Sequence, residues 1–366
     1  MEVKPITKAV RSENNSFEMV DVTEGITRQT SVKPGILTAM LGGTTNDFSI
    51  TQDKVTYDEL TETMQLPEGK RFDQVGGAEL TLDDARELIY RSGSYGLTAK
   101  VKPADVSAKR KPFSEEVYTM EDRIAEMSMK MEKAWAAFEE LSFAKILTTD
   151  ANFTFNGPAK SYNFYTDIYG GARPAISGDA SFDFSGTATI EDQTNNLIDQ
   201  LQEECALNGT SYTSAVMFCG ATFFDRRFAY ERDQGININA INTTTLDLSS
   251  LGVSRDNFDG DDVVFKRRHF TSALDGITYI RMADSIGGNL LMGSADNGFL
   301  IPAGADNMFA RVYTPSQTTE YVNTTALKKY AEYGEHKRKG AVYSEECNVL
   351  YMNRTPKLVI PVVTTA

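Results

Sequence analysis

The chain has 366 residues, 41% of them hydrophobic, enough for two or three cores at common domain sizes. Lys and Arg number 37 against 51 Asp and Glu, a net charge of −14, and such a surface repels a polyphosphate and argues against chain-wide nucleic-acid binding. The longest apolar runs, such as Leu358–Val363, are far too short to span a bilayer, and the start MEVKPITKAV lacks the apolar core of a signal peptide.

Residues 1–47 scatter Thr, Ser, Gly and charge. Ile26, Val32, Ile36 and Leu37 are too sparse to build a core, which predicts an extended arm ordered by whatever it lies against. Weak strands are expected around Phe48–Tyr57. A short helix is expected from Leu82 to Arg91, opened by Thr81 with Asp84 and closed by Gly93. Leu97–Pro112 reads as an extended basic arm carrying Lys100, Lys102, Lys109, Arg110 and Lys111, with Pro103 and Pro112 in it.

The strongest element follows. Met120, Ile124, Met127, Met131, Ala134, Phe138 and Leu141 recur in alternating steps of four and three, one apolar stripe on a helix over 119–148. Thr119 with Asp122 forms a capping box, and at 1.5 Å per residue the rod is roughly 45 Å long. An aromatic, glycine-rich link runs to about residue 174 and reads as packed rings.

Next comes a regular α/β segment. A helix is expected over 190–208, with its stripe at Ile190, Thr194, Leu197, Leu201 and Cys205, a Thr189/Asp192 box and Gly209 at its end. A strand at 215–219 and a short helix opened by Thr222 with Asp225 follow, then a polar loop region over 237–262. Further strands are expected at 263–267, 277–282, 289–293, 308–313, 342–352 and 357–363, from their β-branched and aromatic content.

Chemistry-bearing motifs are scarce. His269 and His336 each stand in a basic run and read as exposed. Cys205, Cys219 and Cys347 are widely spaced, without a C-x-x-C, and read as reduced buried thiols. No glycine-rich phosphate loop or nucleophile elbow occurs. The acidic run RDNFDGDD, 255–262, fails as an EF-hand because Arg255 and Lys266 stand where acids are required, and it reads as a solvated turn. The neighbouring acids Glu139–Glu140 and Glu203–Glu204 diverge on their helices and read as solvated surface. No cofactor, metal or catalytic residue is expected. The basic triplets Lys109–Lys111, Lys266–Arg268 and Lys337–Lys339 suit ion pairing to an acidic face of a neighbouring copy, with nucleic-acid contact and plain solvation as the other readings. The candidate inter-subunit contacts are Lys100, Lys102, Lys109, Arg110, Lys111, Lys266, Arg267 and Arg268.

Three stretches carry a likeness: MSMKMEKAWAAFEELSFAKILTTDANF, FLIPAGADNMFARVYTPSQTTEYVNT, and YSEECNVLYMNRTPKLVIPV with Arg354, Thr355 and Pro356 before the last apolar strand. With the order of parts around them, they resemble the tailed-bacteriophage major capsid proteins of the HK97-like fold, in particular the lambda-type major capsid protein E family. The resemblance implies an α+β fold with an N-terminal arm at 1–47 and an extended loop region at 48–112. It implies a peripheral domain with the spine helix at 113–180, an axial domain at 181–290, and return strands at 291–366 that complete both. It implies self-assembly as pentamers and hexamers into an icosahedral virion capsid around double-stranded DNA, built in the bacterial host cytoplasm. Portal and scaffold or cementing proteins would be partners; packaged DNA would be met only by weak, non-specific proximity, and no membrane is involved. The competing expectations are an encapsulin-like compartment and, from another class, a soluble hydrolase using Asp259, Asp261 and Asp262.

Overall fold

The structure is a computed structural model and describes residues 19–21, 35–43, 45–52, 54–60, 85–107, 117, 119–151, 161–171, 181–183, 190–235, 268–305, 307–316, 321, 324–336 and 340–365. Strand β1 (Met19–Asp21) is followed by helix α1 (Ile36–Gly43) and strand β2 (Thr45–Ser49). The segment expected to be an extended arm therefore holds a helix, and Ile36, Leu37, Met40 and Leu41 in it are buried. Its apolar residues are contiguous rather than periodic, so no stripe announces it. A helix this short is stable because its neighbours bury it on all sides.

Strands β3 (Lys54–Leu60) and β4 (Ala85–Arg91) form an antiparallel hairpin. The helix expected over 82–91 is thus a strand in the part described. Leu88 and Tyr90 are buried while Ile89 between them is 54% exposed, the two-residue alternation of a pleat. Helix-forming composition yielded there to tertiary pairing. Strand β5 (Gly93–Val101) and helix α2 (Pro103–Val106) lead to the spine helix α3 (Met120–Thr149). Its capping box forms as expected: Thr119 N donates to Asp122 Oδ2 at 2.9 Å and Asp122 N to Thr119 Oγ1 at 3.1 Å. Asp150, at φ 49°, closes the helix in the left-handed conformation.

Helix α4 (Phe164–Tyr169), strand β6 (Ser181–Asp183), helix α5 (Ile190–Leu207), strand β7 (Ser214–Cys219) and helix α6 (Ala221–Asp233) follow. The remaining strands are β8 (His269–Thr271), β9 (Thr278–Arg281), the tight hairpin β10 (Ser285–Ile286) and β11 (Asn289–Leu290), β12 (Asn297–Ala303), β13 (Phe309–Tyr313), β14 (Tyr330–His336), β15 (Gly340–Asn353) and β16 (Ile360–Thr365). A 3₁₀ turn, Pro356–Leu358, precedes β16, so the expected strand 357–363 starts later. Strands β12 and β14 were not among the expected ones. Gly298 and Pro302 disguise β12, and the polar run YAEYGEH disguises β14. The Thr189 cap and residues 237–262 and 263–267 lie outside the described residues.

Among the described residues, twelve of the sixteen strands make two six-stranded sheets, and β3–β4 and β10–β11 stand as two-stranded ones. The first runs β1-β14-β15-β13-β2, with β5 on the opposite edge of β15 from β14, because Ala341–Glu346 pair with both. The spine crosses this sheet on a run of rings. Phe138 meets Tyr95 at 4.5 Å and Trp135 at 5.8 Å between centroids, and Phe143 meets Tyr351 at 5.3 Å and Phe309 at 6.4 Å. The second sheet runs β6-β16-β12-β7-β9-β8. Helix α5 contributes its expected stripe to the core beside this sheet: Ile190, Thr194, Leu197, Leu201 and Cys205 are all buried.

Candidate assembly surfaces

Among the described residues no group of three or more His, Cys, Asp or Glu could hold a metal ion. His269 is 7% exposed, against the expectation of an exposed histidine: as the first residue of β8, paired with Ile280, it turns inward. The three cysteines are free and buried. Burial pushes the Cys219 thiol well above its ordinary range, with Ile280 and Arg227 opposing, so it is no nucleophile. The run 255–262, with Asp259, Asp261 and Asp262, lies outside the described residues.

Buried charge instead ties elements together. Glu140, expected on the solvated surface, is 3% exposed. Its carboxylate accepts from Leu37 N at 3.1 Å, Thr38 N at 2.9 Å and Thr38 Oγ1 at 3.1 Å, capping the start of α1 and latching it to the spine. Gly35 permits this approach, since a Cβ there would run into the Glu140 carboxylate. Its neighbour Glu139 pairs with Arg311, which also binds Asp47 of β2 at 2.6 Å. Trp135 Nε1 and Tyr343 OH both donate to the buried Glu345, each at 2.5 Å.

Beside the second sheet, Arg227 is fully buried. Its Nη2 lies 2.9 Å from both Glu231 and Asp275, and its Nε donates to Tyr279 OH at 3.2 Å. Burial opposes the guanidinium charge, but Tyr279, Asp275 and Glu231 outweigh it and hold its pKa above the ordinary value. The Arg227/Glu231 spacing of four and the lone Trp135 were the sequence signals for these ties.

Three of the eight expected contact residues fall among the described ones. Lys100 and Lys102 are exposed at the end of β5. Lys109, Arg110, Lys111, Lys266 and Arg267 lie outside the described residues. Arg268 pairs within its own chain, 3.1 Å from Asp225 and 5.3 Å over the Phe224 ring. On the spine, Met131 and Leu141 are buried; Met120, Ile124, Met127 and Phe138 are half-buried. Ala134 is exposed, and the bulkier Trp135 one residue on is buried and bonds Glu345 of β15. No helix of the described residues is long and apolar enough to cross a membrane.

The family model for phage major capsid protein E matches residues 18–364. Among solved structures, the chain is similar to the putative capsid protein of a prophage of E. coli CFT073, at 11% identity and a TM-score of 0.56, covering 95% of this chain and 100% of that one. It is also similar to the capsid of the cyanophage P-SCSP1u, at 11% identity and a TM-score of 0.48, covering 92% and 90%. The SrpI encapsulin complex of Synechococcus elongatus PCC 7942 matches at 9% identity and a TM-score of 0.44, covering 97% and 96%. No curated protein matches by sequence.

Proposed function

The chain belongs to the phage major capsid protein E family, and from that premise we propose that it assembles as pentamers and hexamers into an icosahedral shell around the double-stranded DNA of a tailed phage. It is a major capsid protein of the HK97-like fold, a structural protein and not an enzyme. The observation that carries the reading is the match over residues 18–364, which takes in β1, the spine and both sheets.

Physical features of the chain support this assembly. The spine with its aromatic contacts to the first sheet stiffens a peripheral domain; the second sheet with α5 and α6 suits the axial domain, completed by the late strands β12 and β16. A net charge of −14 suits a wall that encloses DNA without adhering to it. Lys100 and Lys102 are then available to acidic faces of neighbouring copies. Many weak contacts repeated by symmetry close a stable shell. Portal and scaffold or cementing proteins complete the particle, and assembly takes place in the host cytoplasm. Negative-stain microscopy and sedimentation of the purified chain test this: uniform hollow particles are expected, and a compact monomer under all assembly conditions would sink it.

A further inference from the structure

The spine helix changes character along its length. Its buried residues begin at Met131, and over Met120–Lys130 none is buried. The most open side chains there fall in steps of four. Glu121, Ala125, Met129 and, one turn on, Lys133 are all exposed, Met129 to 46%. Residues four apart on a helix lie along one ridge. This ridge is about 18 Å long at 1.5 Å per residue. It carries an acid at one end, a base at the other, and a small and a large apolar side chain between them.

Much of the other charge on the spine is paired within the chain. Arg123 meets Glu126 at 2.6 Å, Glu132 meets Lys329 at 2.8 Å, and Glu139 meets Arg311. Glu121 and Lys133 make no ion pair with any described residue. Head-to-tail contacts close a ring of five or six copies and go no further. Joining one ring to the next about a two-fold axis needs a surface that complements itself. The ridge is such a surface. Turned antiparallel about a point beside residue 127, it sets Glu121 against Lys133 of a second copy at both ends. Ala125 then faces Met129 of the second copy in the middle.

We propose that the spine helices of two copies in adjoining rings pack antiparallel across a two-fold axis, the ridge Glu121–Lys133 of one against the same ridge of the other. The inference rests on the shell reading and names a contact that joins its rings. Two ridges of step four run side by side when helices cross at about −50°, the commonest packing class. Charge selects the direction and the register. A parallel pair sets Glu121 on Glu121 and Lys133 on Lys133. A slide of the antiparallel pair by one turn either way sets Glu121 on Met129 or Ala137 instead. The small Ala125 leaves room for the unbranched Met129, a side chain that adapts to irregular gaps. Exposed ion pairs are individually weak and the ridge is short, so the contact forms in the shell and not between free subunits.

The test uses full-length Ala125→Cys and Met129→Cys variants; the three native cysteines are buried and do not interfere. Each variant alone and an equal mixture are assembled, checked by negative stain, oxidised and run on non-reducing gels. A reductant-sensitive dimer much stronger in the mixture than in either variant alone is expected. Shells from the mixture without that dimer overturn the proposal and leave the shell reading standing. So does a dimer equally strong with Ala125→Cys alone, which belongs to another register. Exchange of charge gives a second readout. Glu121→Lys and Lys133→Glu each bring like charges together and are expected to raise the chain concentration needed for assembly by about tenfold. The double variant restores opposite charges at both ends and is expected to assemble like the wild type. Single variants that assemble normally, or a double variant no better than the singles, overturn the contact. Wild-type chains that build no shell overturn the shell reading and the proposal with it. Where a cysteine variant does not assemble, peroxide footprinting of the wild type decides: Met129 is expected to oxidise about tenfold more slowly in shells than in dissociated subunits. An unchanged rate overturns the contact.

Discussion

Glu140 shows how one side chain can decide where an arm goes. Two backbone N–H groups at the start of α1 and the Thr38 hydroxyl all donate to it in a buried site. Glu140→Gln replaces one acceptor oxygen by a donor, and Glu140→Ala removes both. Each is expected to lose about 2–4 kcal/mol in urea unfolding, because orphaned buried donors cost more than an average hydrogen bond gains. A loss below about 0.5 kcal/mol would mean that α1 is not latched there. Titration supplies a second residue-scale prediction. Burial pushes Cys347 up to about 12 from an ordinary 9.0, with Lys329 opposing and Glu139 and Glu346 reinforcing. Burial, with Cys347, pushes Tyr95 up to about 12 from 10.0. Both groups keep their protons in the folded state at pH values where the unfolded chain releases them. Their contribution is complete below about pH 9 and is lost as the pH climbs toward about 12. Melting temperature should therefore fall steadily across that window, and a flat profile to pH 11 would count against it.

At the scale of elements, the hairpin β3–β4 is the sharpest test of the fold. A strand places Leu88 inward and Ile89 outward, so Leu88→Lys should destabilise by about 2–4 kcal/mol while Ile89→Lys stays within about 0.5 kcal/mol. Equal losses would point to a helix instead. The spine was legible because thirty residues repeat one pattern behind a capping box, and α5 was legible for the same reason. Strand β4 was not: ARELIYR is rich in helix formers, and its pairing with β3, decades of residues away, overrode local preference. Glu140 was unreadable because the partner that buries it lies 102 residues upstream. An acid on a helix signals nothing until its neighbour is known. Trp135 in place of Ala134 is a smaller miss, since the true stripe follows bulk and not only spacing.

For the whole molecule, the order of parts along the chain governs what can be removed. Cutting residues 1–34 leaves α1 in place and should give a folded, soluble subunit that assembles poorly. Cutting 1–43 also removes the buried Ile36, Leu37, Met40 and Leu41, and should give insoluble chain. Solubility and sedimentation separate the two, and equal behaviour would mean that α1 does not belong to the core. The position of β16 has another consequence. Residues 360–365 lie inside the second sheet, between β6 and β12, and β15 holds β5, β13 and β14 together in the first. During synthesis, neither sheet can close until residues 340–365 have left the ribosome. A nascent or prematurely terminated copy therefore cannot present a finished edge to its neighbours. Translation through β16 then serves as a checkpoint, since a copy that stops short of it lacks the strand that joins β6 to β12.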